Sequence, residues 1–218
     1  LDWVLSGKEV VPGYWGISQG RYSHFTMRIA SPSAARAVTD AELAAVRASV
    51  PANRFLMACF TRMVKVTPEY VRVVRQLLRA IPGSHYLLVG GGISVEAEQL
   101  ASDAEFVGRV TLVRGMVDLA VYGSIVDAFL DTFPLSAGVV AVEMAARGIP
   151  VVSLDGGDAD RDHARQRDAQ VLAKSEAEYC AIVERLAGDA EFRMSCREGA
   201  LDLGRQFMQA EDMIGPIE

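Results

Sequence analysis

Between residues 54 and 154 the apolar positions fall into two alternating textures. Short, nearly continuous apolar runs stand at 54–61 (RFLMACFT), 86–89 (YLLV), 110–113, 124–130 (SIVDAFL) and 149–154 (IPVVSL). Their length and β-branched content predict strands buried on both faces. Between them the spacing turns helical. The spacing over 68–80 places Val71, Val74, Leu77, Leu78 and, just beyond, Ile81 on one face. Thr67 is its expected N-cap, Pro68 its first position, and Pro82-Gly83 its stop. Shorter helices are expected at 95–101, 117–122 and 139–147, the last ending at Gly148, with Pro150 barring continuation. Helices at 175–187 and 191–208 close the chain. Thr39 with Glu42, and Ser175 with Glu178, have capping-box spacing, each worth about 1 kcal/mol of helix stability. Strand alternating with helix predicts an α/β fold, a doubly wound parallel sheet.

The flanks differ. Residues 1–30 hold both tryptophans, Trp3 and Trp15, and show no sustained period. We read 1–50 as a linker or the remnant of a preceding domain, with 31–49 helix-prone. Residues 51–190 form the ligand-binding domain and 191–218 a C-terminal helix. Residues 155–168 (DGGDADRDHARQRD) are charged and poor in large apolar side chains, so solvation is their first explanation. A lone histidine there, His163, fits a surface ion pair better than a ligand contact.

Composition narrows the classes of function. A formal charge of −6 over 218 residues argues against a general nucleic-acid surface, while leaving room for a local basic pocket. Cys59, Cys180 and Cys196 are odd in number and far apart, which reads as reduced thiols. Asp2, Lys8 and Glu9 break any signal-peptide pattern at the start. The longest apolar region, 110–130, is interrupted by Arg114, Asp118 and Asp127, so no membrane span is expected and the location expected is cytoplasmic. No HxxxH, CxxC or paired-carboxylate array is present, and neither a metal nor a cofactor is expected.

The chemistry concentrates at 131–152 (DTFPLSAGVVAVEMAARGIPVV), a strand end, a tight turn, a helix and a second strand. Ser136-Ala137-Gly138 lets a ligand approach the backbone, and the N–H groups that follow favour an anion. Glu143, one turn into the helix, has the reach to accept from a sugar hydroxyl pair. The plainer reading is an ordinary crossover turn with a solvated glutamate. Gly90-Gly91-Gly92 lacks dinucleotide-binding spacing and any Walker lysine, and reads first as relief of crowding at a strand end.

The segment DTFP…G…E…G.PVV, formed by Asp131 to Pro134, Gly138, Glu143, Gly148, Pro150, Val151 and Val152, resembles the donor-nucleotide region of GT-B glycosyltransferases. It is most similar to the O-GlcNAc transferase and SPINDLY-type group, in which the pattern reads DTFPYNGGTT..EAL..G.PVV. The opening F…K.TPE, with PGS..LLV further on, resembles the start of the same Rossmann-like C-terminal half. The resemblance implies that Lys65 touches donor phosphates, that Ser136, Gly138, Val139 and Val140 face the pyrophosphate, and that Glu143 holds the ribose hydroxyls. Lys65 as a solvated loop lysine is the alternative. Two valines, Val139 and Val140, stand where the group has threonines, so two hydroxyl donors are absent. Leu135 stands where many retaining GT-B enzymes carry a second glutamate, a feature the O-GlcNAc group also lacks. Arg114-Gly115-Met116 is shorter than the group's charged loop around the base.

The activity so implied is transfer of a sugar from a UDP-sugar, with a protein as the implied acceptor and without a metal. The acceptor-side domain and any general base would lie outside this chain. Two alternatives stand beside it: a nucleotide-sugar-binding module without catalysis, and a nucleotide-sugar epimerase. The epimerase is disfavoured by the absent acid/base carboxylates.

Overall fold

The computed structural model describes residues 37–51, 54–155 and 171–209, with three short strands at 3–5, 8–12 and 22–25. Those strands, β1 (Trp3–Leu5), β2 (Lys8–Pro12) and β3 (Tyr22–Phe25), form a sheet of their own where the sequence shows no period. β1 runs antiparallel to β2, and β3 parallel to it. The expected helix over 31–49 begins only at Asp40, as α1 (Asp40–Ser49); residues 31–36 lie outside the described residues. Its capping box is present in both directions. The Thr39 N–H donates to Glu42 Oε2 at 2.9 Å and the Glu42 N–H to Thr39 Oγ1 at 3.3 Å.

The body of the chain is a six-stranded parallel sheet. Its strands are β4 (Phe55–Phe60), β5 (Ser84–Gly90), β6 (Val110–Arg114), β7 (Ala128–Leu130), β8 (Val151–Leu154) and β9 (Leu172–Ala173), in the order β6-β5-β4-β7-β8-β9. The chain builds outward from β4 to one edge, returns to the middle at β7, and builds to the other edge. This is the doubly wound arrangement expected, and its winding reverses between β4 and β7. The crossovers are α2 (Pro68–Ala80), α3 (Val95–Ala101), α4 (Leu119–Gly123) and α5 (Val139–Ala145), followed by α6 (Glu176–Gly188) and α7 (Ala190–Gln209). β4 and β5 are buried almost along their whole length, because helices or loops cover both faces. In α2 the buried set is Tyr70, Val71, Val73, Val74, Leu77 and Leu78, a wider stripe than the one read from spacing alone.

Two boundaries shift, and one cap differs. The strand expected over 124–130 is only β7, because its first half is a turn in which the Val126 N–H donates to the Gly123 carbonyl. Asp127 then ties that turn to the central strand, its Oδ2 accepting from the Leu56 N–H at 2.8 Å. α5 stops at Ala145, and the chain leaves through a turn that ends at Gly148 with φ of +72°. The second capping box is half formed. Ser175 Oγ accepts from the Glu178 N–H, but the Glu178 carboxylate reaches past it to the Lys174 N–H at 2.7 Å. Most of the charged stretch 155–168, with His163, lies outside the described residues.

Burial gives one residue a pH-dependent role in stability. His85, in β5, is buried, with Nε2 2.8 Å from Thr111 Oγ1. Burial first, then the neighbouring Arg54 and Arg109 charges, lower its pKa from 6.5 to about 4. The unfolded chain therefore takes up a proton that the native state refuses. Stability is full above about pH 6.5 and falls as the pH drops toward 4, by about 2 kcal/mol at pH 5. Urea denaturation at pH 7 and pH 5 should show this loss, and His85→Gln should flatten it. Equal losses in both proteins would assign the acid sensitivity to other groups.

Candidate functional site

A cavity of about 570 Å³ opens where the winding reverses. That volume suits a nucleotide-sized ligand. Because the strands are parallel, every loop leaving a strand's carboxyl end reaches this face. Phe60, Thr61, Arg62 and Lys65 come from the end of β4 and its following loop, and Val89, Gly90 and Gly91 from the end of β5. Gly115, Met116, Val117 and Leu119 follow β6, and Ser136 to Val140 follow β7. Backbone bonds lace these loops together. The Thr61 N–H donates to the Val89 carbonyl, the Met63 N–H to Gly91 and the Gly115 N–H to Gly90.

The charge of the wall is one-sided. Although the chain is net acidic, the described residues lining the cavity include two cations, Arg62 and Lys65, and no carboxylate or histidine. Lys65 is half-buried and its Nζ donates to the Ser136 carbonyl, which brings the β4 and β7 loops together. Burial lowers its pKa below the ordinary lysine value, helped by Arg62 and opposed by Asp131. A cation already partly stripped of water, with a second cation beside it, gains from an incoming anion. Thr61 carries a buried hydroxyl that has no hydrogen-bond partner among the described residues.

The loop after β7 is held from behind by buried polar groups. The Asp131 carboxylate accepts from the Ala137 N–H at 2.7 Å, from Ser136 Oγ at 2.9 and 3.1 Å, and from Ser153 Oγ at 3.1 Å. Ser136 Oγ also accepts from the Gly138 N–H at 3.0 Å. Gly138 has φ of +74°, a conformation side chains resist, so a glycine is needed where the turn enters α5. Tyr179 donates its hydroxyl to the Asp131 carbonyl and Tyr70 donates to the Leu130 carbonyl. The Phe133 ring sits edge-on between those two tyrosines. Thr67, the N-cap of α2, reaches the Phe133 carbonyl at 3.2 Å. The Tyr86 hydroxyl lies 3.0 Å from that of Tyr70. Burial drives the pKa of Tyr70, Tyr86 and Tyr179 well above the ordinary value, so all three stay neutral.

The fold gathers Lys65, Ser136, Gly138, Val139 and Val140 around one cavity. Glu143 is half-exposed on α5 and lies outside the cavity lining; its charge acts on Arg147. Three features in or behind the wall have a role that the sequence did not assign. Arg62 stands three residues before Lys65, and a second basic residue in one loop was the available signal. Asp131, behind the wall, stands in the DTFP motif without an assigned role. Met116, Val117 and Leu119 add an apolar side that only the topology brings here.

No family model matches the chain. Among curated proteins it is 27% identical to the probable UDP-N-acetylglucosamine–peptide N-acetylglucosaminyltransferase SPINDLY of Petunia hybrida, over 69% of this chain and 18% of that protein. The corresponding protein of Oryza sativa is 28% identical over 63% of this chain and 17% of its own length. The chain thus spans about a sixth of the curated relatives it matches. Among solved structures it superposes on a Thermobaculum terrenum O-GlcNAc transferase mutant with a TM-score of 0.63 and 24% identity, covering 72% of this chain and 33% of that one. Anabaena HepE, solved with UDP and glucose, gives a TM-score of 0.63 and 18% identity, covering 78% of this chain and 49% of that one. The parallel sheet and these superpositions show that the chain has the Rossmann-like fold found in those glycosyltransferases, and its sequence is similar to that of the SPINDLY-type proteins.

Proposed function

We propose that this chain is the donor-binding half of a glycosyltransferase that takes a sugar from a UDP-sugar and passes it to a protein acceptor. One observation carries the reading: a nucleotide-sized cavity at the sheet's reversal point with two cations and no carboxylate among the described residues of its wall. In the transfer, the bond between the anomeric carbon and the diphosphate oxygen breaks, and negative charge collects on the leaving diphosphate. Arg62 and Lys65 are placed to stabilise that charge, a task that needs no metal in this proposal. The acceptor hydroxyl forms the new bond and gives its proton to a base. Among the described residues the cavity wall offers no carboxylate or histidine for that step, and we assign the base to an acceptor-side domain. The naming of the relatives supports the protein acceptor, and the UDP in the Anabaena structure supports the donor. No described helix is long and apolar enough to cross a membrane. The buried thiols of Cys59 and Cys180 form no disulfide, which supports a cytoplasmic location.

The test is a thermal-shift and calorimetric comparison of UDP, ADP and GDP. UDP should stabilise the protein most, by roughly 2.7 kcal/mol at a hundredfold excess over its dissociation constant. Equal shifts from the three nucleotides, or no shift from any, would sink the reading.

Val139 and Val140 favour a second reading, a binding module without catalysis. Both line the cavity, and neither presents a hydroxyl to a diphosphate. If the wall faces a diphosphate there, Val139→Thr/Val140→Thr should tighten UDP binding roughly tenfold to a hundredfold while leaving uridine unaffected. A less stable double variant with unchanged UDP affinity would show that the valines serve packing alone.

A further inference from the structure

We propose that Asp131 is a positioning residue for the anion site: from behind the cavity, its buried carboxylate fixes Ser136, whose carbonyl in turn holds the Lys65 ammonium at the wall. The chain of contacts is continuous. Asp131 binds the Ser136 hydroxyl and the Ala137 N–H, the Ser136 hydroxyl also takes the Gly138 N–H, and the Ser136 carbonyl accepts from Lys65 Nζ. Asp131 is 3% exposed, so it does not reach a ligand in the cavity itself, and it is not among the lining residues. Ser153 on β8 and the Tyr179 hydroxyl, which binds the Asp131 carbonyl, anchor it to the sheet and to α6. An aspartate at this point therefore does two things that an apolar residue does not. It shapes the turn so that its hydroxyl and N–H groups point inward to the carboxylate, and from behind the wall it lends a negative charge to Lys65.

The groups acting on Lys65 are Arg62 from its own loop, Asp131 from the end of β7 and Cys59 from within β4. Burial and Arg62 favour the neutral amine, while Asp131 favours the ammonium. Removing the Asp131 charge should accordingly let Lys65 lose its proton at lower pH. The inference rests on the reading of the cavity as a diphosphate site, but Lys65 is measurable without any ligand.

The test uses the full chain and its variants Asp131→Asn and Ser153→Ala. Acetylation of Lys65 by acetic anhydride, followed by mass spectrometry across alkaline pH, reports when its amine becomes reactive, with the exposed Lys174 as internal reference. In Asp131→Asn the reactivity of Lys65 should rise at lower pH than in the parent, whereas Ser153→Ala, which keeps the charge, should follow the parent. UDP affinity at neutral pH should fall about tenfold in Asp131→Asn, with the alkaline loss of binding also moved to lower pH. An Asp131→Asn protein that is folded by circular dichroism and has the parent's Lys65 profile overturns the proposal. Where that variant does not fold, Ser136→Ala breaks the same chain one link on. It should raise Lys65 reactivity at every pH by loosening the turn, and an unchanged profile again overturns the proposal. A shifted Lys65 profile in a protein that never binds UDP would uphold the positioning role and reject the nucleotide reading.

Discussion

Replacing Gly90 by alanine is expected to remove about 3 kcal/mol of stability and to abolish nucleotide binding. A Cβ built on Gly90 would lie 1.7 Å from the Thr61 carbonyl oxygen and 2.9 Å from its carbon, both of them backbone atoms. A flexible side chain swings aside; a strand end does not. To make room, β4 and β5 must part where the Thr61 N–H bonds to Val89 and the Gly115 N–H bonds to Gly90. Those bonds align three of the four loops around the cavity, so the same displacement spreads Lys65 from Ser136. Gly91 supplies the comparison within one triplet. A Cβ there meets nothing within 4 Å, so Gly91→Ala should change stability by less than about 1 kcal/mol. Urea denaturation of both variants, with UDP titration of each, checks the pair. A Gly90→Ala protein as stable as Gly91→Ala would show that the β4–β5 crossing tolerates expansion.

That contrast marks how far the sequence could be read. The glycine triplet suggested relief of crowding, which holds at Gly90, yet no pattern says which glycine faces the crowding atom. The parallel sheet was legible because strands buried on both faces must be apolar throughout, and because Thr67, Pro68 and Gly148 punctuate their helices as local chemistry requires. β7 was misjudged for a related reason. Val126 is buried, so it keeps the run apolar, but it belongs to a turn pinned by Asp127 rather than to the ladder. Burial and strand pairing leave the same mark on a sequence.

Within the site, Lys65 and the 136–140 turn were legible through motif resemblance and local chemistry. Asp131 was quoted in that motif, yet its work depends on Ser153 and Tyr179, which lie 22 and 48 residues further along the chain. Long-range polar contacts leave no periodicity behind them. The apolar side formed by Met116, Val117 and Leu119 has the same origin, since β5 and β4 separate β6 from β7 in the sheet and only the crossover after β6 carries these residues to the cavity that the loop after β7 also lines.

Lys65→Ala is expected to weaken UDP binding by about 1.5–3 kcal/mol, the range for losing a hydrogen bond to a charged group. Uridine, which lacks phosphate, should bind both proteins equally. The argument is electrostatic before it is geometric. The cavity wall holds two cations, and removing one leaves Arg62, which is exposed and better screened by water, as the sole counter-charge. Lys65 is half-buried, so its attraction to a diphosphate survives salt better than that of Arg62. The residual binding of Lys65→Ala should fall no more steeply with ionic strength than that of the parent, because one of the two cation contacts is gone and the Arg62 contact is common to both. Folding should change little, because the side chain's hydrogen bond is to one carbonyl, that of Ser136, and the turn keeps its Asp131 contacts. Calorimetry at low and high salt, with UDP and with uridine, gives all of these quantities. An unchanged UDP dissociation constant would return Lys65 to the status of a loop lysine that braces Ser136. An equal loss for uridine would place the damage in the shape of the cavity rather than in its charge.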